Sequence, residues 1–300
     1  MPKQNIAAAL WLSTGGLAVM SAMSAAIHEV AGEVPTGQII FWRSFVALLP
    51  TLTYLAVRRE LGQSIRTRYP HKHLVRGLLG CAVMFFSFVS LRYLSVGLAT
   101  ALTYLAPILS IAAAMLFLRE RPGATIFLGV VLGFAGIVLM LFPALVGTEL
   151  RDGTLTGVGA GIAMAATNAL SRVQVKDLTR TEPPASIALS FALICSLVGL
   201  ASSLLGWVEL TSTQFALLAG AGLLGGLGHV LMMESVARAP VSVLAPYEYT
   251  GIIWAFGFDL VLLGIVPSAW ALAGALVVVA AAALVAYGQG RFGRKAIASA

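Results

Sequence analysis

Charge is scarce in this chain. Asp, Glu, Lys and Arg make up only 10% of its 300 residues, where a soluble globular protein carries roughly a quarter. So little charge cannot coat a folded 31.3 kDa body in water, which excludes an ordinary soluble enzyme or binding domain. Cysteine is nearly absent. Cys81 and Cys195 each stand alone in an apolar run, leaving neither a disulfide framework nor metal-ligand spacing. No Gly-Lys-Ser/Thr follows the glycine-rich stretches, so a phosphate-cradling loop is missing. The connectors are also too short for a nucleotide-binding domain. His28-Glu29 opens like a zinc-protease motif, but Gly32 stands where the second histidine belongs. There is no Gly-x-Ser-x-Gly and no aspartate-rich pair to hold magnesium. These absences argue against an intramembrane enzyme, and no cofactor or metal is expected.

What is abundant is apolar surface. Hydrophobic residues make up 59% of the chain and the mean hydropathy is +0.94. About 20 apolar residues in a helix cross the roughly 30 Å of bilayer hydrocarbon. Runs of that kind lie near 7–30, 37–57, 74–91, 95–118, 124–143, 155–173, 184–206, 213–235, 241–264 and 268–288. Backbone groups in lipid must be satisfied within their own segment, so these runs are expected to be helices. They are too long and continuous for barrel strands. The first run is too long for a signal-peptide core and is read as a retained span. The sixth is weakened near its end by Asn168, Ser171 and Arg172.

The charges give an independent check. With ten spans and a cytoplasmic N-terminus, sixteen of the 19 Lys and Arg fall on the inner side, Arg92 and Arg151 fall outside, and Arg43 stays within a span. That is the excess expected of cytoplasmic connectors. It accounts for the net charge of +7 and the pI near 9.8 without invoking nucleic acid. Both termini are expected inside, and the lipid bilayer is the one partner that composition demands.

The second half partly overlays the first at a shift of 145 residues. Tyr104 then falls on Tyr249, Ile108 on Ile253, Pro122 on Pro267 and Gly129 on Gly274. Pro122 and Pro267 each sit just before a predicted helix, where proline is tolerated. Five spans per half is odd, so the halves, residues 1–147 and 148–300, enter the membrane in opposite senses. Inverted repeats belong to secondary transporters, whose substrate site lies near the midplane between the halves. The fold expected is an all-α integral membrane protein: ten transmembrane helices in two inverted five-helix repeats around a central cavity. A channel is the alternative transport class.

Further residues carry a resemblance: Phe41-Trp42-Arg43-Ser44, the stretch Ala101-Leu102-Thr103-Tyr104-Leu105-Ala106-Pro107, Leu118-Arg119-Glu120-Arg121, and Gly129, Gly133 and Gly136. Over nearly its whole length the chain resembles the drug/metabolite transporter superfamily, in its ten-span EamA-type branch. In the second half Ile265 stands where the first has Glu120, so the acidic mark is missing there. The resemblance implies export of amino acids or related metabolites across a bacterial inner membrane, and is closest in look to aromatic amino acid exporters. Other metabolites or drugs are the alternative cargo.

Several residues are candidates for the work. Arg43 lies about 9 Å into its span at helical rise. An arginine at depth costs about 2.5–3.5 kcal/mol, so a partner, a water-lined cavity or snorkelling is needed. Asp259 and Glu29 lie at compatible depths, which suggests an outer gate or a contact for a substrate carboxylate. Glu248, between Tyr247 and Tyr249, together with His229 and Glu234, is placed to carry a coupling proton or to meet a substrate ammonium. Alternatively these groups merely hydrogen-bond their neighbours. Thr100 and Tyr104 share a face of the fourth span, and Pro107 and Pro246 each remove a backbone donor and can kink a helix. Phe85 and Trp254 offer aromatic surface for an amphipathic solute, against the plain reading of packing and interfacial belts. Asn168 sits mid-span as either a ligand or an interhelical hydrogen-bonding group. Gly220, Gly222, Gly225, Gly226 and Gly228 crowd the eighth span, allowing close helix approach or bending. Oligomeric state is left open.

Overall fold

The computed structural model describes residues 6–64, 67, 69–106, 108–109, 124–146, 153–179, 181–239, 244 and 247–298. Every regular element among them is helical. In chain order these are α1 (Ile6–Ala31), α2 (Thr36–Val57), α3 (Leu61–Ser64), α4 (Pro70–Tyr93), α5 (Val96–Thr103), α6 (Ala124–Val146), α7 (Thr154–Leu178), α8 (Pro184–Ala201), α9 (Ser212–Arg238), α10 (Gly251–Val261) and α11 (Ala269–Ala298). A short 3₁₀ turn, Ser202–Leu205, follows α8. Five of the described helices are long and apolar enough to cross a membrane: α1, α2, α4, the segment Ala185–Leu205, and α9. Shorter apolar stretches lie at Phe127–Met140, Gly251–Val261 and Ala269–Leu284. The predicted Pro107, Glu120, Pro122 and Pro246 lie outside the described residues.

The helix starts follow local chemistry. Pro70 occupies the first turn of α4 and Pro184 that of α8, where the missing N–H has no intrahelical partner to lose. Thr211 and Gln214 form a reciprocal capping box at the start of α9. Some hydroxyls inside the helices are satisfied locally: Thr51 donates to Ala47 O at 2.9 Å and Ser196 to Ala192 O at 2.7 Å. That is the arrangement a lipid environment requires.

Packing is widest between α6 and α11, α1 and α9, and α4 and α7; α2 lies against both α8 and α9, and α5 against α10. The eighth-span glycines explain one of these approaches. A Cβ on Gly226 would lie 2.4 Å from Pro50 Cγ and 2.7 Å from Ala47 O. No side chain fits there, so α9 lies directly on the α2 backbone, as small residues permit. Ser235 ties α9 to α1 by donating to Ala9 O at 2.8 Å.

Arg76 is assigned differently by sequence and structure. The sequence grouped it with connector charges, on a span beginning near residue 74. Pro70 starts α4 four residues earlier, so Arg76 stands in the second turn of the helix and is half-buried within the bundle.

Candidate functional site

Two interior regions hold most of the polar chemistry. The first is where α5 and α10 meet. Each of these helices is interrupted. Residues 96–103 are helical, a turn falls at Tyr104, and the chain is helical again at 105–106; a turn at 249–250 immediately precedes α10. At the first turn Tyr104 N reaches Ala101 O at 3.1 Å, an i−3 bond. Thr103 Oγ1 donates to Thr100 O at 2.6 Å. At the second turn Thr250 N, Ile252 N and Ile253 N all bond three residues back, at 3.0, 3.3 and 3.0 Å. Thr250 Oγ1 donates to Tyr247 O at 2.7 Å. Hydroxyl back-bonding of this kind competes with the helical ladder.

The two turns face each other. The Tyr104 and Tyr249 rings lie 5.4 Å apart between centroids, tilted by 57°. Tyr104 Oη donates to Glu248 O at 2.7 Å, and Ser21 on α1 donates to Gly251 O at 3.4 Å. Carbonyls leaving the ladder are thus met by side chains from other helices, which is how irregular backbone is tolerated at membrane depth.

Above this pair lies a cavity of about 520 Å³, lined by Leu94, Ser95 and Leu98, by Phe256, and by Met140, Pro143, Thr154 and Ser268 among others. Leu98 is six residues from Tyr104, about 9 Å at helical rise. Asp259 borders this end of the molecule. It is 1% exposed and accepts from Val96 N at 2.8 Å and Gly97 N at 2.7 Å. It therefore closes the N-terminus of α5, where exposed N–H groups and the helix dipole favour an anion. The expected Arg43–Asp259 pairing is not formed, because both carboxylate oxygens face the α5 amides. Glu29 is exposed and does not reach Arg43 either.

The second region is built by α2, α4, α8 and α9. Arg43 is 4% exposed, and its Nε has no hydrogen-bond partner among the described residues; Nη1 lies 4.0 Å from Met84 Sδ. Gly225 makes room for it, since a Cβ there would lie 3.0 Å from both Arg43 Nε and Nη2. Arg76 stacks over the Phe191 ring at 4.7 Å, and its buried Nε and Nη1 likewise have no partner. His229 sits 6.2 Å from the same ring, with Nδ1 2.8 Å from Gly225 O, within the electrostatic reach of both guanidinium groups. Cys195 lies within reach of both arginines as well. A guanidinium held without an acceptor at depth costs several kcal/mol, about 2.5–3.5 on insertion scales, and Phe191 offsets only part of that for Arg76.

The face opposite the cavity is closed by polar contacts. Lys72 Nζ meets Asp177 Oδ2 at 2.7 Å, Thr67 donates to Glu182 at 2.8 Å, and buried His73 lies 3.8 Å from Glu182. Glu234 accepts from both Tyr54 and Arg238. These partners hold Glu234 between α2 and the end of α9.

The remaining predicted residues differ in burial. Phe85, Tyr247 and Trp254 are 45%, 39% and 40% exposed. Phe85 packs edge-on against Phe86. Thr100, Asn168 and Glu248 are half-buried. Tyr104 and Tyr249, aligned by the 145-residue shift, pack ring against ring, and Tyr104 reaches the backbone carbonyl of Glu248. It missed Arg76 and Phe191. Pro70, a residue type that commonly opens a helix, was a signal in the sequence that could have placed Arg76.

Residues 7–142 match the EamA-like transporter family. Over most of its length the chain is similar to named transporters. It is 27% identical to the pseudopaline exporter of Pseudomonas aeruginosa, over 87% of this chain and 89% of that one. It is 26% identical to the riboflavin transporter of Rhizobium johnstonii, over 82% and 80%. It is 23% identical to the S-adenosylmethionine uptake transporter of Rickettsia bellii, over 91% and 93%. A solved crystal structure, 18% identical, superposes with a TM-score of 0.63 over 92% of this chain and 95% of its own, sharing the fold. The chain therefore has several membrane-length helices, is similar over residues 7–142 to the EamA-like transporter family, and is similar over most of its length to proteins named as transporters.

Proposed function

We propose that the chain is a secondary carrier that works by alternating access and exports amino acids, aromatic or other bulky neutral ones, across a bacterial inner membrane. The observation that carries the reading is the facing pair of interrupted helices at Tyr104 and Tyr249. Discontinuous helices in corresponding positions of two halves are where secondary carriers bind their cargo. In this reading the chain has ten spans in two inverted halves, 1–147 and 148–300, with both termini cytoplasmic.

The helix pairings support an exchange of the halves. When α1 trades places with α7, α2 with α8, α4 with α9, α5 with α10 and α6 with α11, the α1–α9 contact becomes α7–α4. Likewise α1–α10 becomes α7–α5 and α2–α9 becomes α8–α4, while α2–α8, α5–α10 and α6–α11 map onto themselves. Two bundles related in this way can exchange inward-open and outward-open arrangements of comparable energy. The cavity then opens to the outside, and the contacts at Lys72–Asp177, Thr67–Glu182 and Tyr54–Glu234 close the cytoplasmic side.

The amino-acid assignment rests on the sequence resemblance and on the aromatic surface of the facing Tyr104 and Tyr249 rings. The named relatives differ in cargo and in direction, so related metabolites or drugs are the second reading. His229 and Glu248 are the groups through which a coupling proton would pass. The test is counterflow in proteoliposomes loaded with unlabelled phenylalanine. Saturable accumulation of labelled phenylalanine is expected; exclusive accumulation of a nucleotide sugar or an organic cation in the same assay contradicts the amino-acid assignment. Flux that rises without saturation points to a channel.

A further inference from the structure

We infer that Arg43 and Arg76 together form a binding site for an oxyanion, a carboxylate or a phosphate carried by the transported solute. The inference rests on the carrier reading and adds to it the chemical group by which the solute is held.

The two side chains come from opposite ends of the bundle. Arg43 is seven residues past Thr36 on α2, and Arg76 six past Pro70 on the next long helix, α4, so both point toward the middle of the molecule from different sides. Arg43 is 96% buried and its Nε has no acceptor among the described residues; neither do Nε and Nη1 of Arg76. The groups around them are Met84, Cys195, Phe191 and His229, and among the described residues no carboxylate pairs with either guanidinium. The acidic groups at the bundle ends are engaged elsewhere: Asp259 with the α5 amides, Glu234 with Tyr54 and Arg238, and Glu182 with Thr67.

Buried charge is normally paired, and planar guanidinium donors fit carboxylate and phosphate oxygens two at a time. Phe191 holds Arg76 from its face, leaving the edge N–H groups free to point at a ligand. Gly225 gives Arg43 its place, and any side chain at that position would intrude on the guanidinium. Both neighbours therefore keep the donors in place without consuming them, as a preorganised site requires.

The test uses the purified full chain in dodecyl maltoside micelles, which contain neither carboxylate nor phosphate. Thermal unfolding is followed with L-phenylalanine, L-phenylalaninamide, succinate, glucose 6-phosphate and glucose. At least one oxyanion is expected to raise the melting temperature, while its neutral or cationic counterpart leaves it unchanged. Arg43→Gln and Arg76→Gln should each weaken that binding at least ten-fold, and Arg43→Lys less, since it keeps the charge and loses the fork. Equal shifts with phenylalanine and phenylalaninamide, or no shift from any of the three oxyanions, overturn the inference. So does an equal shift from added phosphatidylglycerol, which would give the site to a lipid headgroup. Oxyanion binding that depends on Arg43 without any counterflow leaves the site standing and removes the carrier reading. Saturable counterflow of phenylalaninamide, undiminished in Arg43→Gln, does the reverse.

Discussion

The Tyr104 hydroxyl holds the carbonyl of Glu248, 2.7 Å away on the other side of the α5–α10 interface. In an unbroken helix that carbonyl would accept from Ile252 N, but Ile252 N turns to Tyr249 O at 3.3 Å. One side chain thus completes the interruption of a helix 144 residues away. Tyr104→Phe removes the donor and keeps the ring. Loss of one such bond costs about 0.5–1.5 kcal/mol, and the counterflow rate is expected to fall about ten-fold as the broken segment loses its tether. An unchanged rate in proteoliposomes would show that the bridge plays no part in exchange.

Asp259 is a structural cap by its geometry, since both oxygens serve α5 amides. Asp259→Ala strands two buried N–H groups and is expected to lower stability by about 2–4 kcal/mol. Asp259→Asn keeps one acceptor and should cost less. Thermal unfolding in detergent checks both. If Asp259→Ala unfolds like the parent but abolishes exchange, the residue is a gate and the capping account is wrong.

Arg43 should behave in the opposite way. Replacing a buried unpaired charge with an apolar side chain of similar length is often neutral or stabilising, by about 1–4 kcal/mol. Arg43→Met is therefore expected to raise the melting temperature of the unliganded protein while abolishing exchange, the trade expected of a site held in a strained state for function. A lower melting temperature would mark Arg43 as a packing residue.

Gly226 lies against Pro50 and the Ala47 carbonyl, two groups that cannot yield. Even the single methyl of Gly226→Ala must push α9 off α2, at an expected cost of about 1–3 kcal/mol. Gly220, with nothing within 4 Å of an added Cβ, should accept alanine with no loss. Comparing the two melting curves separates close packing from general helix flexibility.

The helix ranges were legible because hydropathy and length decide them: α1, α2, α8 and α9 begin within a residue of the runs read from sequence. The Tyr104–Tyr249 correspondence was legible too, since two tyrosines at a fixed shift survive in an otherwise uninformative apolar alphabet. The role of Asp259 was not. Capping a helix from another element depends on a tertiary approach, allowed here because Gly97 leaves space for the Phe256 ring, and no local pattern encodes that. Arg43 was visible as a charge at depth, but its neighbour Arg76 was hidden among six basic residues that topology alone seemed to explain.

Alternation between two openings is the claim on which the rest depends, and thiol accessibility measures it directly. Leu98→Cys reports on the cavity, and Met233→Cys on the opposite end, where Met233 packs near Leu55 and Leu189. The native Cys81 and Cys195 are buried and set the baseline. With saturating phenylalanine, labelling by a membrane-impermeant maleimide is expected to fall at residue 98 and rise at residue 233 of the same preparation. Labelling that changes in the same direction at both positions, or at neither while counterflow proceeds, would contradict alternating access.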